Sequence, residues 1–225
     1  MDQALRSVQG SWRHALTFAL RYDDHFLRVP VEETLDVTAL SPAQQEIFPV
    51  SSQAGSYRHA DGTYRFIDLR DGNYGIAARS RTGLWVSWDP PLSLAAPLAQ
   101  PSSPIARELW PTPAAGVAPG MTAVRGKLLG TSIQRLKVEI AASAGGVFDR
   151  FNCADSAGEF LFPVALRVKP ENDGRIKLKV RVAGGSRVVN SIDVSNPSGS
   201  TVDHFVGVDF LVAPGRVSRV KLNVA

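Results

Sequence analysis

The sequence of 225 residues has a single cysteine, Cys153. An internal disulfide is therefore excluded, and a reducing compartment fits this composition. No apolar run reaches the roughly 18–20 residues that a membrane-crossing helix needs, so no membrane insertion is expected. Residues Met1 to Gly10 include Asp2, Arg6 and Gln9. They lack the basic start and continuous apolar stretch of a signal peptide. The expectation is cytoplasmic synthesis without a signal peptide, with later incorporation into a particle or secretion assembly left open.

Motifs that carry chemistry are also missing. The four histidines are His14, His25, His59 and His204, and none stands at metal-ligand spacing from another His or Cys. Gly-x-Ser-x-Gly is absent, and no glycine-rich phosphate loop follows a strand. Asp23-Asp24-His25 reads as a polar turn rather than a hard-cation site. Cys153 has no activating base beside it in sequence and reads as a small buried side chain. These gaps point away from an enzyme, and no catalytic residue, metal or cofactor is expected.

What remains is a strand-rich pattern. Hydrophobic residues make up 44% of the chain, enough for a core, and glycine (19) and proline (15) punctuate it. A short helical turn is expected over residues 3–13. Ala15 to Leu20 and the alternating Thr34 to Leu40 read as strands. Asp61-Gly62 predicts a tight hairpin turn, because such turns need positive φ. Tyr64 and Phe66 should then share one strand face. In Arg175 to Val182, four aliphatic side chains alternate with four basic ones, which predicts a strand with a buried and a solvent face. Gly184-Gly185 is the expected turn after it.

Eight of the fifteen prolines fall between Pro90 and Pro119. Proline donates no backbone hydrogen bond and stiffens the chain. The expected fold is all-β, with two antiparallel immunoglobulin-like or transthyretin-like β-sandwich domains. Their expected limits are 1–103 and 122–225, joined by a proline-rich linker over 104–121. A long ordered loop within one domain is the alternative to the linker. Charge divides along the same line. Residues 1–121 hold 10 basic and 12 acidic side chains, a net −2, and residues 122–225 hold 15 and 9, a net +6.

The run His59-Ala60-Asp61-Gly62-Thr63-Tyr64-Arg65-Phe66-Ile67-Asp68-Leu69-Arg70-Asp71-Gly72-Asn73-Tyr74 resembles the carboxypeptidase regulatory-like, or transthyretin-like, β-sandwich family. Members show a turn-Gly-x-Tyr/Phe-x-Phe strand followed by Leu-x-x-Gly-x-Tyr. Val124 to Leu128 and Asp155 to Phe160 resemble the same pattern more loosely, which implies a tandem. The resemblance implies small seven-stranded sandwiches that serve as spacers, adaptors or recognition modules, without catalytic residues. Urate-breakdown hydrolases of this fold carry Tyr-Arg-Gly-Ser, where this chain has Lys221-Leu222-Asn223-Val224-Ala225. By analogy alone, related modules in phage-tail-like contractile injection and secretion assemblies suggest a place of that kind.

Two functional classes follow. The first is a structural or adaptor protein with protein partners in a larger assembly. Its candidate contacts are the basic stripe Arg175, Lys177, Lys179 and Arg181, whose plainer role is to keep the sheet soluble. The second is a carbohydrate-binding module that stacks sugars on Trp85, Trp88 and Trp110, whose plainer role is to fill a core. The basic residues are not interleaved with aromatics, so nucleic acid is not an expected partner.

Overall fold

The computed structural model describes residues 16–51, 57–96, 103–164, 168–183, 187–195 and 201–225. Residues 3–13 and Gly184-Gly185, read above as a helical turn and a tight turn, lie outside them. The described residues are all-β, with no helix. In chain order the strands are β1 (Leu16–Asp24), β2 (Asp36–Leu40), β3 (Glu46–Ile47), β4 (Thr63–Ile67), β5 (Gly72–Arg79), β6 (Trp85–Val86), β7 (Leu92–Ala96) and β8 (Ile105–Pro111). They continue with β9 (Ala123–Leu129), β10 (Lys137–Ala142), β11 (Phe151–Cys153), β12 (Glu159–Pro163) and β13 (Ile176–Ala183). The last four are β14 (Val189–Ser195), β15 (Val202–Val206), β16 (Asp209–Val212) and β17 (Val217–Val224).

One local device leads into several of these strands. His59 N–H donates to Thr63 O and Gly62 N–H to His59 O, each at 2.9 Å. The same pair of bonds recurs in Asp155–Glu159 (2.8 and 3.1 Å) and in Glu171–Arg175 (2.7 and 2.9 Å). The fourth residue of the turn is glycine each time, with φ of 80° at Gly62 and 78° at Gly158, where a Cβ would be strained. An aspartate locks each turn. Asp61 Oδ1 accepts the Thr63 N–H at 3.1 Å, and Asp155 Oδ1 accepts those of Ala157 and Glu159 at 2.8 Å. The predicted turn at Asp61-Gly62 is thus present. Its first arm is not a strand, because β4 pairs with β1 instead.

The strands form four sheets, in the orders β4-β1-β8-β6, β3-β2-β5-β7, β11-β10-β13-β16 and β12-β9-β17-β14-β15. The chain divides into two compact units. The first holds residues 1–21, 37–77 and 91–106, and the second holds 22–36, 78–90 and 107–225. Part of the expected linker is strand: Ile105–Pro111 forms β8. The physical reason is that its six residues before Pro111, Ile-Ala-Arg-Glu-Leu-Trp, contain no proline. The stiff residues only bracket them.

In the first unit Phe18, Leu20, Tyr64 and Phe66 are at most 1% exposed. Tyr64 and Phe66 share the inner face, as residues two apart on a strand must. The Phe18 and Phe66 ring centroids lie 4.8 Å apart. Full burial of such a side chain stabilises by roughly 1.5–3 kcal/mol.

The core of the second unit is larger. It gathers Val124, Leu128, Val138, Ile140, Phe160, Phe162, Leu178, Val180, Ile192, Phe210, Val220 and Leu222. Strand β13 shows the predicted alternation, with Ile176, Leu178, Val180 and Val182 buried. The antiparallel expectation fails in the second unit, where β17 pairs with β9 in parallel, from Val217 opposite Ala123 to Asn223 opposite Leu129. On β9 the pairing includes Gly126, where an added Cβ would stand 2.0 Å from the Phe160 ring.

Candidate functional site

The basic stripe lies where the sequence places it, but most of its charge is locally paired. Arg181 and Glu139 are register partners on β13 and β10. The Arg181 guanidinium meets the Glu139 carboxylate at 2.6 Å, and Lys137 reaches the same carboxylate at 3.0 Å. Arg175 bonds Asp173 at 2.7 Å and Asp203 at 2.9 Å. Hydrogen bonds from Arg175, led by its backbone N–H, hold the Asp173 carboxyl below its ordinary range. Lys177 lies 3.7 Å from Asp209. Lys179 has no carboxylate within ion-pair distance among the described residues and lies over the Phe148 ring, 5.1 Å from its centroid.

The three tryptophans do not present a shared surface of exposed indoles. Trp110, a candidate sugar platform, is 1% exposed and belongs to the core of the second unit. Its ring stacks on His25 at 4.7 Å between centroids. Trp88 is half-buried and donates its indole N–H to Asn152 Oδ1 at 2.9 Å. Trp85, also half-buried, lines an open cavity of about 440 Å³ with Leu27, Val29, Leu84, Val117 and Met121.

A polar cluster missed by sequence reasoning surrounds His25. Its Nδ1 lies 2.6 Å from Glu108 Oε2, and Arg28 bonds the same carboxylate. The Arg150 guanidinium donates to the carbonyls of His25 and Phe26. Burial, followed by the charges of Arg28 and Arg150, lowers the His25 pKa to about 4. The ring is uncharged at neutral pH, with Nε2 accepting the Phe151 N–H at 3.4 Å. Asp24, expected in a polar turn, caps one: its Oδ1 accepts the N–H groups of Phe26 (2.7 Å) and Leu27 (3.2 Å). Burial raises its pKa against these bonds. The contacts made by His25 and Asp24 are structural.

Cys153 is partly exposed, and burial pushes its thiol to about 11, so it is a poor nucleophile at neutral pH. Among the described residues no group of three or more His, Cys, Asp or Glu side chains could hold a metal ion. No described helix is long and apolar enough to cross a membrane.

A second group of cations was not singled out by sequence. On β9, Arg125 and Lys127 point away from the core formed by Val124 and Leu128. On β17, Arg219 and Lys221 do the same beside Val220 and Leu222. The shared signal is Arg-x-Lys, present in both strands. Beyond β17 on the same sheet, β15 is, among the described residues, an edge strand bonded to β14 alone. It exposes Val202 (61%) and Val206 (84%).

No protein-family model matches the chain, and no curated protein matches it in sequence. Solved structures with similar architecture include the TIE protein of Bacillus anthracis, at 9% identity over 92% of this chain and a TM-score of 0.32. A streptococcal ancillary pilin is 13% identical over 93% of this chain, with a TM-score of 0.33. The major pilin subunit of Bacillus cereus is 7% identical, covering 92% of this chain and 85% of its own, with a TM-score of 0.31. The chain spans 32% of the first of these proteins and 62% of the second.

Proposed function

We propose that the chain is a non-enzymatic β-sandwich protein that works by binding other proteins in a larger assembly. The observation that carries this reading is the edge strand β15. Among the described residues it has one bonded neighbour, and its solvent face shows Val202 and Val206 on either side of His204. Unpaired edge N–H and C=O groups accept a further strand, and soluble proteins usually protect such an edge with lysine, proline or a bulge. Here that face offers two aliphatic side chains, with His204 between them bonded to Asp193. A transthyretin-like assignment, and a place in a contractile injection or secretion assembly, rest on the sequence resemblance alone. The carbohydrate reading has less support, because the Trp110 ring is sealed in the core.

The test is the size of the protein in an extract of its native source, followed by cross-linking and identification of its neighbours. A species well above the mass of the single native chain, with protein cross-links, is expected. Replacing Val202 and Val206 by lysine should shrink it. Migration of the native protein as a free monomer, without cross-links, would refute the reading.

A further inference from the structure

The parallel register of β17 on β9 sets Arg219 directly opposite Arg125, and Lys221 directly opposite Lys127. Side chains on one strand face repeat at about 6.6 Å, and adjacent strands lie about 4.8 Å apart. Four cations therefore occupy one small rectangle on the outer face of the sheet. Like charges directly opposite one another destabilise a sheet, so this array works against the fold that displays it.

Local neutralisation is slight. Lys127 meets Glu159 at 3.3 Å, and Arg125 donates to the Ala115 carbonyl at 2.9 Å. Among the described residues, Arg219 and Lys221 have no carboxylate within ion-pair distance. Arg125 Nε is buried and makes no hydrogen bond. Asp193, the register partner of Lys221 on β14, lies 2.6 Å from His204 Nδ1. The array thus retains unanswered charge, chiefly at Arg219 and Lys221.

We propose that this face, centred on Arg125, Lys127, Arg219 and Lys221, docks an acidic surface of a protein partner. The inference rests on the protein-assembly reading above and names its surface. Two observations favour protein over nucleic acid. No aromatic side chain stands among the cations on these strand faces, so bases have no stacking platform. Across β14, past the bonded Asp193–His204 pair, the same sheet face continues to Val202 and Val206, the register partners of Ser195 and Ser191. Cations bordered by exposed aliphatics suit a partner carrying carboxylates beside apolar side chains.

The test uses the full chain and a fluorescent peptide of alternating glutamate and valine, with a single-stranded oligonucleotide of equal charge as the competing probe. Binding is read by anisotropy at low and physiological salt. The peptide should bind, and its affinity should fall as salt rises. The double variant Arg219→Glu, Lys221→Glu should lose at least about tenfold, which corresponds to about 1.4 kcal/mol. The control Lys177→Glu, Lys179→Glu should change affinity less than twofold, and circular dichroism should show both variants folded. Should the first variant unfold, Arg219→Gln, Lys221→Gln replaces it, with a threefold loss expected. Equal binding by wild type and variant, no peptide binding, or tighter binding of the oligonucleotide would overturn the proposal. None of these outcomes depends on whether the native protein sits in an assembly, so the surface and the assembly reading fail separately.

Discussion

Two sheets of the second unit each show a row of basic side chains to solvent, and the rows differ in what stands beside them. On β13 and the residue before it, Arg175, Lys177 and Arg181 each lie within 4 Å of an aspartate or glutamate supplied by a turn or a neighbouring strand. Between β9 and β17 each cation faces another cation, and on the outer sides only Lys127 meets a carboxylate, Glu159, at ion-pair distance, while Asp193 opposite Lys221 is turned to His204. The sequence pattern is similar in both cases, a basic residue at every second position. Whether a charged row is a solvated face or a binding face is decided by its cross-strand neighbours. A carboxylate opposite a cation settles the charge within the fold, and a cation opposite a cation leaves it for something else.

The largest expected effect concerns a charge that the fold refuses altogether. The unfolded His25 takes up its proton near 6.5, and the folded ring only near 4. Between these values the unfolded state binds more protons, so stability falls as pH drops from about 6.5 to about 4. Above that window this group contributes no slope. The loss should approach about 3 kcal/mol by pH 4, since each tenfold weakening of proton affinity is worth about 1.4 kcal/mol. Urea unfolding across this range should show it, and His25→Gln should flatten the slope. An unchanged slope would mean that the His25 ring is not what resists the proton.

A smaller effect separates the two rows. Glu139 is 4% exposed and holds both Arg181 and Lys137. Glu139→Gln should cost about 1–2 kcal/mol in urea unfolding, below the roughly 3–5 kcal/mol of a fully buried pair, because both cations can turn to water. The smallest effect has the opposite sign. Lys221→Gln should stabilise the fold by about 0.2–1 kcal/mol through relief of like-charge repulsion, while Lys177→Gln should be neutral or slightly destabilising. Thermal unfolding at low salt would show the difference. If both variants lose stability, the two rows are not distinct in the way described.

Much of the strand pattern was legible in the sequence. The alternation of Arg175 to Val182, the positive φ at Gly62 and the shared burial of Tyr64 and Phe66 follow from local rules, and the structure carries each of them. Proline misled where it only bracketed a strand, as at β8. Trp110 was a sugar candidate because it stands beside the proline-rich segment, with Pro111 and Pro113 after it, yet its neighbours in space are His25 and Phe151. The cation array was hidden for a related reason. Its halves stand 94 positions apart, Arg125 against Arg219, and nothing local states which strand a strand will pair with. The repeated Arg-x-Lys was a visible hint, but only the parallel register gives it meaning.

That register also shapes how the second unit answers mechanical load. Tension applied to the start of β9 and the end of β17 pulls along the two strands in opposite directions. The seven registered positions from Val217–Ala123 to Asn223–Leu129 then slide against one another and carry the force together. The antiparallel β14–β15 pair, pulled at Val189 and Val206, has its load at one end and opens position by position. Resistance to force is a matter of unfolding rate rather than equilibrium stability. Tension along β9 and β17 therefore meets the unit in shear, its stronger direction.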